Sequence, residues 1–323
     1  MSNVSLGVIF HPKFPPDMLI DYACRAEAAG FDELWLWEDC FWAGALTSSA
    51  VVLASTERLK VCIGLLPATV RNPLFTAMEI TTLAHLYPGR FIPGFGHGVE
   101  SWMKQIGAAP RSTMKALEET VIAVRALMQG ENVTLQGDHV HLDQVQMLVV
   151  PEEVPPLYIG AIREKTLRLS GRVGDGTIFT ELASPAYVRW ARDIIAQGMA
   201  ETGRSNNQVA VFTQAKVDPS GSRDAVRKSL ARAMAWSTFH LQPMGVADEA
   251  SALIREYGEA GTAQRMPDVW VDELSVSGTP EQAATAFQHL VDAGANSIIL
   301  QPLDGDPACL DEYIRYLLPL VRG

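Results

Sequence analysis

Residues 59–98, LKVCIGLLPATVRNPLFTAMEITTLAHLYPGRFIPGFGHG, decide the fold. The stretch reads as strand, loop, helix, strand, loop. Each strand ends in a loop with special backbone residues: Gly64 and Pro67 in the first, Gly94, Gly96 and Gly98 in the second. Loops at the carboxyl ends of successive parallel strands are where βα proteins bind ligands. Glycines placed there let something come close to the backbone.

The same alternation extends outward in both directions. Val4–Phe10 is a short apolar strand, and Pro15, Pro16 and Asp17 open a helix with Met18, Leu19, Tyr22, Ala23 and Ala26 on one face. Gly30 ends that helix where a left-handed residue is wanted, and Leu34–Trp37 follows as a strand. The junction Ala26–Leu36 recurs in kind at His289–Leu300, and Gly171–Phe179 reads as a third helix–Gly–strand unit. Such repetition predicts a parallel sheet with right-handed crossovers. Eight strands can be counted: Val4–Phe10, Leu34–Trp37, Lys60–Leu65, Phe91–Phe95, Leu157–Gly160, Gly176–Phe179, Val209–Val217 and Ser297–Leu300. The expectation is a (β/α)8 TIM barrel in the α/β class, closed by a helix over Asp311–Val321 that presents Ile314, Leu317, Leu318 and Val321. Two insertions break the rhythm. Asn132–Leu142 alternates around a Gln-Gly-Asp-His turn and predicts a β-hairpin; Ser222–Gly261, ahead of Val269–Leu274, predicts a helical excursion near the top of the barrel that caps the site or serves an interface. No linker or charge block divides the chain, so residues 1–323 are expected to form a single domain.

Composition narrows the partners. The 323 residues are 48% hydrophobic, ample for a large core, and carry a net charge of −11. That charge argues against nucleic acid or an anionic membrane as the main partner and leaves room for a small-molecule ligand. Cys24, Cys40, Cys62 and Cys309 form no CxxC pair and have no zinc spacing. MSNVSLGVIFHP lacks a basic n-region and reads as the first strand, and no apolar run approaches a membrane span, so a cytoplasmic protein is expected.

Chemistry should gather where the strands stop. The first strand is followed by His11, and the second ends in Trp37-Glu38-Asp39-Cys40, carboxylates and a thiol at a barrel rim. Asp39 otherwise caps its loop, and Cys40 otherwise fills a small buried space. Gly94-Phe95-Gly96-His97-Gly98 is not the spacing of a dinucleotide fold; it is either a flexible turn or a set of N–H groups for a phosphate or ring edge. Gly160-Ala161-Ile162-Arg163 precedes a helix whose N-terminus can hold an anion, and Thr180 puts a hydroxyl at the rim. His139 and His141 lie two apart on a hairpin with no evident third ligand, so no metal is expected; His85, His240 and His289 read as structural.

Together these residues resemble the luciferase-like flavin/deazaflavin oxidoreductases, above all their coenzyme F420-dependent, methylenetetrahydromethanopterin reductase-like branch. The resemblance spans nearly the whole chain and is most specific in LWLWEDCFW, IGLLPATVRNP, LYPGRFIPGFGHG, LYIGAIREKTLRLSGRVGDGTIFT and SGTPEQA. It implies a non-prolyl cis peptide at Gly64–Leu65 backing the cofactor ring. It further implies phosphate contacts from Gly96, His97, Gly98, Gly160, Ala161, Ile162 and Thr180, and a contact from Asp39 to the ring's polar edge. The chain departs from that pattern at Cys40, where the branch often has His, at Val99-Glu100 after the glycine loop, and at Ile162-Arg163, where relatives have Gly-Gly or Gly-Pro. Sugar-phosphate oxidation is therefore doubtful.

The resemblance implies hydride transfer between F420 and an organic substrate. Asp39, Cys40, His11 and Glu100 are the candidate catalytic groups, with His97 beside them, and Arg71, Arg163 and Lys165 are placed to meet an acidic cofactor tail. The alternatives are an FMN-dependent monooxygenase of the same superfamily and a non-catalytic flavin-binding protein. A homodimer is implied by the family. The aromatics Phe10, Trp37, Phe41, Trp42 and Trp102 near the strand ends suit an apolar or planar substrate, or the core.

Overall fold

Trp35 and Tyr158 are too large to sit inside a narrow barrel unless their neighbours give way, and the neighbours do. In the computed structural model, which describes residues 4–322, a Cβ on Gly7 would lie 3.0 Å from the Trp35 ring and one on Gly176 would lie 2.5 Å from Tyr158. Around these rings the barrel closes. Its strands are β1 (Ser5–Ile9), β2 (Glu33–Leu36), β3 (Lys60–Pro67) and β4 (Phe91–Gly96). After a hairpin of β5 (Val133–Gln136) and β6 (His141–Val145) come β7 (Tyr158–Gly160), β8 (Gly176–Phe179) and β9 (Gln208–Val217). A short β10 (Ser275–Gly278) precedes β11 (Ser297–Pro302).

All barrel pairings are parallel, in the order β11-β1-β2-β3-β4-β7-β8-β9, and β9 returns to β11 to close the ring. Each of these eight strands gives a residue to the interior: Ile9, Trp35, Cys62, Ile92, Tyr158, Ile178, Ala210 with Phe212, and Ile299. The interior is therefore filled, and any ligand must sit above it at the carboxyl ends of the strands. The eight strands are those expected from the sequence. A ninth, β10, pairs parallel with the outer half of β9 through Ser275↔Gln214 to Gly278↔Val217.

The helix ends vary for physical reasons. Gly30 and Gly294 take the left-handed conformation, with φ of 95° and 100°. Gly174 has φ −94° instead; a Cβ there would meet Ile159 Cγ1 at 2.8 Å, so close packing calls for that glycine. The hairpin turn closes around Glu119, whose carboxylate accepts from the N–H groups of Asp138, His139 and Val140 at 2.9, 2.9 and 3.0 Å. The excursion runs further than expected, through helices Asp224–Trp236, Ala247–Arg265 and Asp268–Leu274, so Val269–Leu274 is helical. It has its own core, in which Val226, Leu230, Met234, Leu241, Trp270 and Leu274 surround Leu182 of the loop after β8. The C-terminal helix buries Tyr313, Leu317 and Leu318; a π-helical turn at Tyr313–Leu317 swings Tyr313 inward to donate to the Ala215 carbonyl at 2.7 Å. Among the described residues, no helix is long and apolar enough to cross a membrane.

Candidate active site

A cavity of about 620 Å³ opens at the carboxyl ends of the strands. That size lies within the roughly 300–1,000 Å³ of small-molecule sites. Its lining comes from the ends of β2, β3, β7, β8, β9 and β11, from the loop after β4, and from Ser237 of the excursion. The excursion thus caps the site.

One half of the mouth is shaped by the end of β3. Register with β4 shifts between Ile63 and Leu66, and the Gly64–Leu65 peptide inside that bulge is cis, as the resemblance implied. A Cβ on Gly64 would lie 2.7 Å from Phe212 Cζ, so the bulge is seated on the interior rings. Leu65 reaches across to β4 and β7: a Cβ on Gly96 would lie 2.2 Å from Leu65 Cδ2, and one on Gly160 would lie 2.5 Å from it. Gly96 and Gly160 make room for Leu65, and Gly160 also opens on the cavity. Gly96 is buried and is not in the cavity lining, whereas Gly64, Leu65, Gly98 and Gly160 are.

The anion donors sort in the same way. The Ala161 N–H is already spent on the Ile178 carbonyl at 3.1 Å. The helix Glu164–Val173 starts beside the cavity, with Arg163 at its N-cap and Thr166 in its first turn, both in the lining. Such an end presents free N–H groups and a positive dipole. The Arg163 guanidinium lies over the Phe239 ring, 5.5 Å from its centroid. Arg71 is not available to a tail: it makes a two-pronged pair with Glu38, one prong at 2.7 Å, and this ties the loop after β2 to the loop after β3. Lys165 is exposed and stands outside the lining.

The candidate proton carriers divide. Asp39 and Cys40 line the cavity, and burial pushes the Asp39 carboxyl up. Burial, then the charges of Asp39 and Glu38, push the Cys40 thiol up, so it stays a thiol at neutral pH. His97 lines the cavity as well; its Nδ1 sits 3.1 Å from the Thr113 carbonyl, which assigns the proton to Nδ1, and burial lowers its pKa. His11 stands outside the lining, packed 5.2 Å from the Trp37 ring, its pKa lowered to about 4 chiefly by burial. Glu100 turns to solvent and pairs with Lys104 at 2.6 Å, away from the cavity. Of the aromatics, Trp37 and Trp102 line the cavity, Phe41 and Trp42 lie exposed against Trp102, and Phe10 packs into the core with Phe14 and Tyr22.

The sequence reading missed a polar group at the other half of the mouth. Glu181 follows Thr180 at the end of β8 and accepts from Gln214 Nε2 at 2.9 Å and Gln301 Nε2 at 3.0 Å. Gln214 and Gln301 are register partners on β9 and β11. Thr180 is 3.2 Å from Nε2 of His240, a buried histidine packed at a tilt against Tyr187, its pKa lowered to about 4 by burial. Near the mouth, the buried indole N–H of Trp37, the Gln214 carbonyl and Nδ1 of His240 lack a partner among the described residues. The signal for Gln214 was a polar pair, Thr213-Gln214, directly after the apolar run Val209–Phe212.

The fold and the site define a (β/α)8 barrel with a cavity at the carboxyl ends of its strands, apolar along β3 and polar at the ends of β8 and β11. The family model of luciferase-like monooxygenases matches residues 4–297, and the chain belongs to that family. It is 26% identical over 306 residues to a 5,10-methylenetetrahydromethanopterin reductase of Methanolobus tindarius, covering 92% of this chain and 93% of the relative. It is 27% identical, over an alignment of 332 positions, to an F420-dependent glucose-6-phosphate dehydrogenase of Kineococcus radiotolerans, covering 96% and 94%. The solved structure of the coenzyme F420-dependent tetrahydromethanopterin reductase from Methanopyrus kandleri superposes with a TM-score of 0.83 at 20% identity, over 98% of this chain and 99% of that one, and shares its fold.

Proposed function

We propose that this chain is an F420-dependent oxidoreductase that passes a hydride between the deazaflavin and an organic substrate in the cavity. The observation that carries the reading is one cavity in which the Gly64–Leu65 bulge forms an apolar wall and Asp39 stands at its edge. The full-length similarity to F420-dependent relatives supports it.

The residues present fit such a group. Leu65, Ile162, Val99 and Met103 offer apolar surface to a ring. The unpartnered Trp37 indole N–H suits a ring carbonyl, and the start of the Glu164–Val173 helix, with Arg163, Thr166 and Thr180, suits phosphate. When bound, a deazaflavin supplies two-electron hydride chemistry. The chain's own part is orientation and proton handling. Asp39, in the lining and with its pKa raised by burial, would hold or take up a proton beside the bound group. His97, neutral, keeps its Nδ1 proton on Thr113 and turns Nε2 toward Thr166, 3.4 Å away. Ser237 brings the excursion to the edge of the cavity.

A second reading, FMN with oxygen as co-substrate, is favoured by the family model, whose description is of monooxygenases. Titration of the purified apoprotein with F420 and with FMN separates the two. F420 is expected to bind and FMN to bind more weakly; tight FMN binding with no F420 binding would overturn the first reading.

A further inference from the structure

We propose that Glu181 and Gln301, with Gln214 bonded to Glu181 from behind, form the substrate-recognition point of the cavity, and that it takes a protonated amine. The proposal rests on the cofactor reading above only in leaving the β3–β4–β7 half of the mouth to the ring.

The Glu181 carboxylate is met by two neutral amides and, among the described residues, by no lysine, arginine or histidine. A half-buried carboxylate with no counter-charge is costly, and a cation arriving with the substrate offsets that cost. Both amides reach Oε2, which leaves Oε1 as an acceptor in the cavity lining. Gln214, 1% exposed, stands outside the lining and holds Glu181 from behind, while Gln301 lines the cavity beside it. An ammonium carries three donors and a positive charge, whereas a hydroxyl carries one donor and no charge.

The surroundings agree. Trp37 and Phe212 line the same cavity with their rings stacked 6.2 Å apart, and aromatic faces attract a cation. Arg163, the one arginine or lysine in the lining, sits at the N-cap of the helix after β7 with its guanidinium over Phe239, and it makes no pair with Glu181. The backbone is also held for the purpose. Leu182, directly after Glu181, has φ +73° and is buried in the excursion's core. A bulky residue persists in that region only when its surroundings impose it. The docking of the excursion on Leu182 therefore sets where Glu181 points.

The test uses the purified full-length chain at neutral pH, with and without F420, titrated calorimetrically with benzylamine, benzyl alcohol, benzoate and benzyl phosphate. Benzylamine is expected to bind at least about tenfold more tightly than benzyl alcohol, the worth of one charge-assisted hydrogen bond, and the two anions more weakly still. Glu181→Gln, nearly isosteric, should abolish the preference for the amine while F420 affinity stays within about twofold. Glu181→Lys should reverse the preference toward benzoate, and thermal melts report that both variants are folded. Equal binding of amine and alcohol, a preference for an anion, no saturable binding of any probe, or an amine preference that survives in Glu181→Gln each overturns the proposal. Amine preference in a chain that does not bind F420 would instead overturn the cofactor reading and leave this one standing.

Discussion

The two halves of the barrel mouth are built by opposite means. Where β3, β4 and β7 end, the shape is set by missing side chains: Gly64, Gly96 and Gly160 leave room for Phe212 and Leu65. Where β8, β9 and β11 end, it is set by side chains that bond to one another: Thr180 to His240, and Glu181 to Gln214 and Gln301. The first half is a fitted apolar wall that tolerates no added atoms. The second is a hydrogen-bonded network with capacity left over, and leftover capacity is what a variable substrate requires. A cofactor held in one pose and a substrate chosen by chemistry need these two kinds of surface.

The comparison breaks most sharply at Gly160. A valine there collides with Leu65 Cδ2, which has one open direction, into the cavity. Overpacking of this kind costs roughly 1–3 kcal/mol. If Leu65 yields by rotating, that cost appears as weaker ring binding, about ten- to a hundredfold in F420 affinity by fluorescence titration. Gly96→Val should do the same. Affinity that holds steady while the melting temperature drops would show the wall to be ordinary core.

Arg71→Met tests the tie between the loops after β2 and β3. It leaves Glu38, whose side chain is only 12% exposed, without its cation. An uncompensated, mostly buried carboxylate should lower stability by about 2–3 kcal/mol in urea melts. Glu38→Gln, which keeps the shape, should cost less.

The polar half has its own signature in acid. Burial lowers the His240 pKa to about 4 from an ordinary 6.5. Between those values the unfolded chain binds a proton that the folded chain refuses, so the stability is fully present above about pH 6.5 and is lost as pH falls toward 4. By pH 5 the loss from this residue is about 2 kcal/mol. His240→Phe should remove that share of the acid sensitivity, measured as the difference in unfolding free energy between pH 7 and pH 5. His11, lowered by burial in the same direction, keeps some acid sensitivity in the variant.

The two halves were also unequally legible in the sequence. The eight barrel strands stood out because each is an apolar run followed by turn residues. The ninth, Ser275–Gly278, is four residues of SVSG; it is buried because Ser275 and Ser277 satisfy each other at 2.7 Å, a pairing that composition does not reveal. Asp39, His97 and Thr180 were legible from their loops alone. A glycine announces that something comes close but not what: at Gly96 the neighbour is Leu65, and at Gly160 it is Leu65 beside the cavity. Glu181, Gln214 and Gln301 lie on different strands, and only barrel closure brings them together.

The smallest effect is expected where the halves meet, at Cys40. Its thiol is pushed up by burial and by the charges of Asp39 and Glu38, so it offers neither a thiolate nor a usable acid near neutral pH. Cys40→Ser should therefore change F420 affinity by less than about twofold, and iodoacetamide should label Cys40 more slowly than it labels glutathione. A histidine at the same place would sense the same two carboxylates with the opposite sign, because they stabilise an imidazolium. Burial of the same site opposes them, so Cys40→His is expected to bring in an imidazole titration whose direction reports which effect wins, visible in the pH dependence of F420 fluorescence on the protein. Rapid alkylation of the natural chain at neutral pH, or a large loss of affinity in Cys40→Ser, would move Cys40 from the edge of the wall into the chemistry.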